Sequence, residues 1–135
     1  MTRTDHHPTL LFSSLSAKIA LYEEVLKSAC KFHGQAQLIG ADCNPHCPAR
    51  AQVRNFSRIH ALDDMNEGLL LEYCDSHELT HIIPTRDGEL VFWASNQNLL
   101  AKNGVQVMVS SENAIRECQD KLLFYHAMKK SPAPA

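Results

Sequence analysis

The residues of this chain that could do chemistry are polar side chains standing where short apolar segments end. The largest group follows the apolar segment 81–84 and comprises Thr85, Arg86, Asp87 and Glu89. Two smaller groups follow other apolar segments; they are Ser13, Ser14 and Ser16, and Asp42 and Asn44. Arg86 could bind a carboxylate through two parallel hydrogen bonds, while Asp87 or Glu89 binds an amine. The pattern therefore predicts a binding site for an amino-acid-like molecule, formed by all of these residues.

Two of the groups have a second interpretation that the sequence leaves open. Asp87 could cap the helix that follows it, with Arg86 in solvent. Asp42 could accept hydrogen bonds from a ribose, as in dinucleotide-binding domains, or it could cap the following turn. We do not expect a dinucleotide, because the first turn lacks G-x-G-x-x-G and has Leu15 where glycine would admit a pyrophosphate. No nucleophile–base pair is evident, so we predict no catalytic residue.

Short apolar segments alternate with longer stretches of helical periodicity. We predict strands at 9–13, 37–41, 56–61, 80–84 and 105–109. We predict helices at about 17–33, 67–76, 89–102, 111–118 and 120–130, with serine caps before the first and fourth, and a short helix at 49–53. This order is typical of an α/β fold: a Rossmann-like three-layer domain with a mostly parallel sheet of about five strands. In such a sheet the three polar groups share one edge and can converge on a single crevice.

Composition limits the class of protein further. The chain has 135 residues, of which 44% are apolar and 21% charged, so we expect one domain at 9–131 between tails at 1–8 and 132–135. The formal net charge of −2 gives no indication of a nucleic-acid or membrane-surface partner. No apolar run approaches the length of a membrane span, and the polar N-terminus does not resemble a signal peptide. We therefore predict a cytoplasmic location.

Five cysteines at irregular spacing make a poor disulfide framework. Three of them, Cys30, Cys74 and Cys118, lie in helical patterns, where we expect small buried side chains. Cys43, His46 and Cys47 supply at most three metal ligands, without a second cysteine or histidine pair at zinc spacing. We therefore predict no metal site.

Five segments in a fixed order resemble a known family. They are LFSSLSAKI at 11–19, GADCNP at 40–45, IIPTRDGEL at 82–90, VMVS at 107–110 and CQDK at 118–121. Together they resemble the N-terminal, pre-ATP-grasp domain of ATP-grasp ligases. The closest groups are the proteins similar to the carbamoyl-phosphate synthase large subunit and to the pyrrolysine-biosynthesis ligase. The resemblance extends over roughly residues 9 to 131.

The resemblance implies both a fold and an activity. It implies a Rossmann-like domain that helps to form the acceptor pocket of a ligase in which ATP phosphorylates a carboxylate and an amine attacks the acyl phosphate. Lys121, in the Asp-Lys pair that opens the ATP-grasp region, is the residue to which the resemblance gives contact with ATP phosphates. ATP and Mg²⁺ would bind only in a complete ATP-grasp enzyme. The expected partners are an ATP-grasp portion, in the same or a separate chain, and an amino-acid-like molecule; a homodimer is compatible with the sequence.

The sequence also departs from the family pattern. After residue 121 it has no glycine-rich loop over phosphates, and no acidic and asparagine residues to hold magnesium. Because phosphoryl transfer depends on positioned phosphates and metal, we expect no ligase activity from the chain alone. Three hypotheses stay open: one part of an ATP-grasp ligase, a stand-alone small-molecule-binding or regulatory module, and a degenerate remnant without a specific ligand.

Overall fold

The computed structural model describes residues 7–130; residues 1–6 and 131–135, with most of the predicted tails, lie outside the described residues. The strands within 7–130 are β1 (Thr9–Phe12), β2 (Gln37–Asp42), β3 (Phe56–Arg58), β4 (His81–Ile83) and β5 (Gln106–Val107). The α-helices of the same range are α1 (Ile19–Phe32), α2 (Glu67–Ser76), α3 (Leu90–Ser95), α4 (Gln97–Lys102), α5 (Glu112–Gln119) and α6 (Lys121–Lys130). The predicted alternation of strands and helices is confirmed.

The five strands form one sheet in the order β3-β2-β1-β4-β5, and every neighbouring pair is parallel. The strand order reverses at β1, because the chain builds outward first to β2 and β3 and then crosses to β4 and β5. Phe12 at the end of β1 pairs with Gly40 of β2 and with Ile83 of β4. The carboxyl ends of the central strands are therefore aligned at the reversal, where open α/β sheets bind ligands.

Alternating side chains bury the two faces of the sheet against different helices. On one face, Leu11 of β1 and Ile82 of β4 pack into a core with Leu70 of α2 and Trp93 of α3. On the other face, a smaller core forms beneath α1. This helix is pinned to the sheet because the Tyr22 hydroxyl donates a 2.6 Å hydrogen bond to a backbone carbonyl of β2. The Rossmann-like three-layer α/β prediction is confirmed.

Several predicted element bounds are wrong for identifiable reasons. The helix predicted at 89–102 is divided at Asn96, whose side chain donates to the Phe92 carbonyl and competes with the helical backbone. The first helix is shorter than predicted and has no serine cap, since its N-cap residue, Lys18, makes no side-chain capping bond. The third strand ends at Arg58 and the fifth spans only two residues, because both are edge strands with a single partner.

The cysteine prediction is correct at one position and wrong at two. Cys74 is buried in the larger core, but Cys30 and Cys118 are exposed. Cys47, which the sequence placed in a loop, is buried beside α1. The helical patterns predict wider buried faces than α1 and α5 have. In the structure, α1 buries only Tyr22 fully and α5 buries only Ile115 fully.

Two apolar surfaces remain uncovered within residues 7–130. Helices α2 to α4 pack on one face of the sheet, so the face carrying α1 is open beside β4 and β5. An apolar groove of about 690 Å³ lies there, and Met108 on its border is 59% exposed. Helix α6 is the second surface; its exposed apolar side chains are Leu122, Leu123, Phe124, Tyr125 and Met128. None of the described helices is long and apolar enough to cross a membrane.

Candidate functional site

The polar groups at the reversal of strand order, which we call the crevice, are joined first by hydrogen bonds between the ends of β1 and β4. The Thr85 hydroxyl accepts from the Ser14 backbone N–H at 2.9 Å and donates to the Ser14 carbonyl, also at 2.9 Å. The Thr85 N–H donates to the Ser13 hydroxyl at 3.1 Å. The polar groups that the sequence placed after the first and fourth strands therefore meet at the point where the strand order reverses.

Asp42, at the end of β2, adds a third strand end to the crevice through two hydrogen bonds. One carboxylate oxygen accepts the Ser16 N–H and the other accepts the Asn44 N–H, both at 2.8 Å. These bonds confirm the interpretation of Asp42 as a turn cap. Ser16 has a φ of 47°, a left-handed conformation that non-glycine residues rarely adopt. The bond to Asp42 holds this strained residue in place between β1 and α1.

Glu89 lies behind this network and is only 4% exposed. Its carboxylate accepts a 2.7 Å hydrogen bond from the Ser13 hydroxyl. Burial raises the pKa of the Glu89 carboxyl above its usual range; the bond from Ser13 and the positive charges of Arg86 and Lys18 oppose that rise. The carboxyl group of Glu89 is thus part of the wall that supports the crevice.

The raised pKa of Glu89 predicts the sign of a pH effect. Folding disfavours the charged form of Glu89, so its contribution to stability is greatest below pH 4.5 and falls as pH rises through the raised pKa. Glu89→Gln removes this titration and keeps an oxygen that can accept the Ser13 bond. Relative to the wild type, the free energy of unfolding of the variant should therefore increase from pH 4 to pH 7 in urea titrations. An equal difference at both pH values would contradict the burial of this charge.

Two cations, Lys18 and Arg86, act electrostatically on the Glu89 carboxylate. Lys18, the N-cap residue of α1, donates from Nζ to the Ser14 carbonyl at 3.1 Å. Arg86 is exposed, and its guanidinium makes no hydrogen bond or ion pair with the described residues. Arg86 is among the residues that the sequence predicts for the site, whereas Lys18 is not. The signal that could have found Lys18 is its position four residues after Ser14 at the start of a helix, where the side chain reaches back over the turn.

The remaining predicted residues border the crevice or lie near it. Asp87 begins a short 3-10 turn and its side chain caps no helix, so the alternative interpretation of Asp87 as an N-cap is wrong. Its backbone carbonyl accepts a 2.8 Å bond from the Gln119 side chain, which ties the crevice to the end of α5. Lys121 is exposed in the next turn, at the first residue of α6. The Asn44 side chain accepts from the His46 N–H within its own loop.

A serine–histidine pair that the sequence pattern does not reveal lies at the edge strand β3. Ser57 Oγ of β3 lies 2.9 Å from His77 Nε2, and the Tyr73 hydroxyl donates to Ser57 Oγ at 2.9 Å. His77 Nδ1 lies 2.9 Å from the Tyr73 carbonyl at the end of α2. These contacts connect α2 to the edge strand, where Ser57 pairs with Ala41, so they explain packing at that edge.

A metal-binding arrangement is not found within the described range. Residues 7–130 contain no group of three or more His, Cys, Asp or Glu side chains that could hold a metal ion. Cys43 is exposed while Cys47 is buried, and burial raises the pKa of the Cys47 thiol. The two sulfur atoms therefore occupy different environments.

Fold and crevice together define a Rossmann-like α/β domain with a polar site at the reversal of strand order. Residues 10–108 match the family model described as PylC-like, N-terminal domain, the pre-ATP-grasp domain of the pyrrolysine-biosynthesis ligase PylC. The chain belongs to this family, as the segment resemblance predicted. The match includes every crevice residue discussed above, whereas Lys121 lies outside it. A search of curated proteins finds no match.

Proposed function

We propose that this domain binds the acceptor substrate of an ATP-grasp carboxylate–amine ligase. Membership of the family provides the ligase context. The observation that carries the proposal is the convergence of Ser13, Ser14, Asp42 and Thr85 on the reversal point of the sheet. ATP and Mg²⁺ would be bound by an ATP-grasp portion in the same or a separate chain, in the cytoplasm where ATP is available.

The hydrogen bonds divide the crevice residues into two proposed roles. Ser13, Thr85, Asp42 and Glu89 use their polar side-chain atoms within the protein, so we assign them to support of the crevice walls. The Arg86 side chain makes no such bond with the part of the chain that the structure describes, and we assign it to the carboxylate of the ligand. The remaining predicted residues, whose side chains are at least partly exposed and can contact the ligand, are Ser14, Ser16, Asn44 and Asp87.

Helix α6 supports the proposal of a partner domain. Leu122 is 65% exposed and Tyr125 is 53% exposed on a helix that begins with Lys121. Apolar side chains exposed together on one helix mark an interaction surface. We propose that the ATP-grasp portion covers α6, which would place Lys121 between the two domains, where it can contact ATP phosphates.

The proposal predicts amino-acid binding at the crevice by the chain itself. Standard amino acids added to ¹⁵N-labelled protein should shift the backbone amides of Ser14, Ser16, Asn44 and Thr85 in a saturable way, because these amides line the crevice. The amide of His77, in the serine–histidine cluster, provides the internal control and should not shift. Shifts confined to the apolar groove beside β5, or no saturable shift with any amino acid, would contradict the proposal.

A further inference from the structure

The charged side chains of the crevice differ in whether they are used within the protein or are available to a ligand. Asp42 has both carboxylate oxygens occupied by backbone N–H groups, and Glu89 is buried behind Ser13. Among residues 7–130, Lys18 has two ammonium protons left after its bond to Ser14, and Arg86 has its whole guanidinium fork. The negative charges of Asp42 and Glu89 are therefore directed into the protein, whereas both cations and the exposed Asp87 carboxylate are available to a ligand.

The hydrogen bonds place Lys18 Nζ beside Thr85, the residue that precedes Arg86. Lys18 Nζ and the Thr85 hydroxyl both donate to the same Ser14 carbonyl oxygen, at 3.1 Å and 2.9 Å. Arg86 directly follows Thr85 in the chain. Both cations also act electrostatically on the Glu89 carboxylate. The buried Glu89 carboxylate is therefore within the electrostatic influence of both cations, which follow β1 and β4 in the chain.

We propose that Lys18 and Arg86 together bind an oxyanion group of the ligand, with Glu89 as the fixed counter-charge behind them. The group is a carboxylate, as in an amino acid, or a phosphate, as in a nucleotide, and both offer the oxygens that such a pair of cations binds. This assignment deepens the proposed function and rests on the same crevice. It adds Lys18 to the binding residues. It also makes Glu89 a counter-charge for the two cations, whereas the sequence predicts that Glu89 could bind the amine of the ligand.

The role assigned to Glu89 predicts that its neutralisation strengthens ligand binding instead of weakening it. If Glu89 is a counter-charge, it competes with the incoming anion for the two cations. Glu89→Gln should then strengthen oxyanion binding about threefold, since it removes a nearby negative charge and keeps the acceptor for Ser13. If Glu89 bound the amine of the ligand, the same substitution would weaken the binding of an amino acid.

Titrations of the labelled chain with sodium acetate, inorganic phosphate and glycine test the proposal. We expect saturable shifts of the crevice amides, and dissociation constants about tenfold weaker in Lys18→Met and in Arg86→Gln. Lys18→Arg should retain binding because it retains the charge. Lys27→Met and Arg54→Gln, which remove exposed cations elsewhere, are the matched controls and should bind as the wild type does. If acetate and glycine bind more tightly than phosphate, the bound group is a carboxylate. If phosphate binds more tightly, the bound group is a phosphate.

Three results would overturn the assignment: no saturable shift with any oxyanion, wild-type affinity in both cation variants, or weaker oxyanion binding in Glu89→Gln. Urea unfolding of each variant separates loss of binding from loss of fold. Failure of this oxyanion site can be distinguished from failure of the proposed acceptor role. Amino acids that bind at the crevice regardless of Lys18 and Arg86 would leave the acceptor role intact and remove this site. Saturable binding of acetate or phosphate at the crevice, with no saturable binding of amino acids, would support this site and contradict the acceptor role.

Discussion

Ser13→Ala should lower the free energy of unfolding by about 2–4 kcal/mol at neutral pH. The substitution removes the hydroxyl that donates to the buried Glu89 carboxylate and that accepts the Thr85 N–H. An unsatisfied buried group costs its full desolvation penalty, and more so when the group is charged. Urea titrations at pH 7 measure the loss, and the loss should be smaller at pH 4, where Glu89 is more often protonated.

Ser14→Ala is the matched control for this prediction. The two serines are adjacent, but Ser14 contributes only its backbone N–H and carbonyl to the network. Its replacement should change the free energy of unfolding by no more than about 0.5 kcal/mol. Equal losses for the two variants would show that the Ser13–Glu89 bond does not stabilise the fold.

Asp42→Ala should lower the free energy of unfolding by about 2–3 kcal/mol. The aspartate carboxylate accepts two backbone N–H groups, one of them from Ser16 in its left-handed conformation. Without the carboxylate, the turn before α1 loses the contact that holds its strained residue. Urea unfolding measures the effect.

Two further variants make the test of Asp42 specific. Asp42→Asn retains one acceptor oxygen and should cost less than Asp42→Ala. Asp63→Ala removes an exposed carboxylate and should be close to neutral. Wild-type stability of Asp42→Ala would contradict the role of the carboxylate as a turn cap and return Asp42 to the ligand-binding residues.

The sequence predicted the strands and their direction because alternation of short apolar segments with helices leaves few arrangements of a small sheet. It also predicted which polar groups meet, since the carboxyl ends of parallel strands must share an edge. It could not predict how those groups divide their hydrogen bonds. Whether Glu89 faces the ligand or the core depends on a 3-10 turn at 87–89, which the helical pattern does not distinguish from the first turn of an α-helix.

Other differences have equally local causes. Lys18 is not predicted from the sequence, because a lysine at the start of a helix looks the same in the sequence as any surface lysine. The bond to Ser14 is what distinguishes it in the structure. The Ser57–His77 contact joins residues twenty positions apart on different elements, so no spacing rule reveals it. The exposure of Cys30 depends on how much of α1 the sheet covers, which is set by tertiary packing.

The central claim is that this domain supplies the acceptor site to an ATP-grasp ligase. It is tested most directly by mixing the chain with the ATP-grasp portion of a pyrrolysine-biosynthesis ligase that lacks its own N-terminal domain. With ATP, Mg²⁺ and amino-acid substrates, we expect ADP release to depend on both components and to fall about tenfold with Arg86→Gln but not with Arg54→Gln. ADP release that is the same with and without the chain, or that is indifferent to Arg86, would contradict the claim.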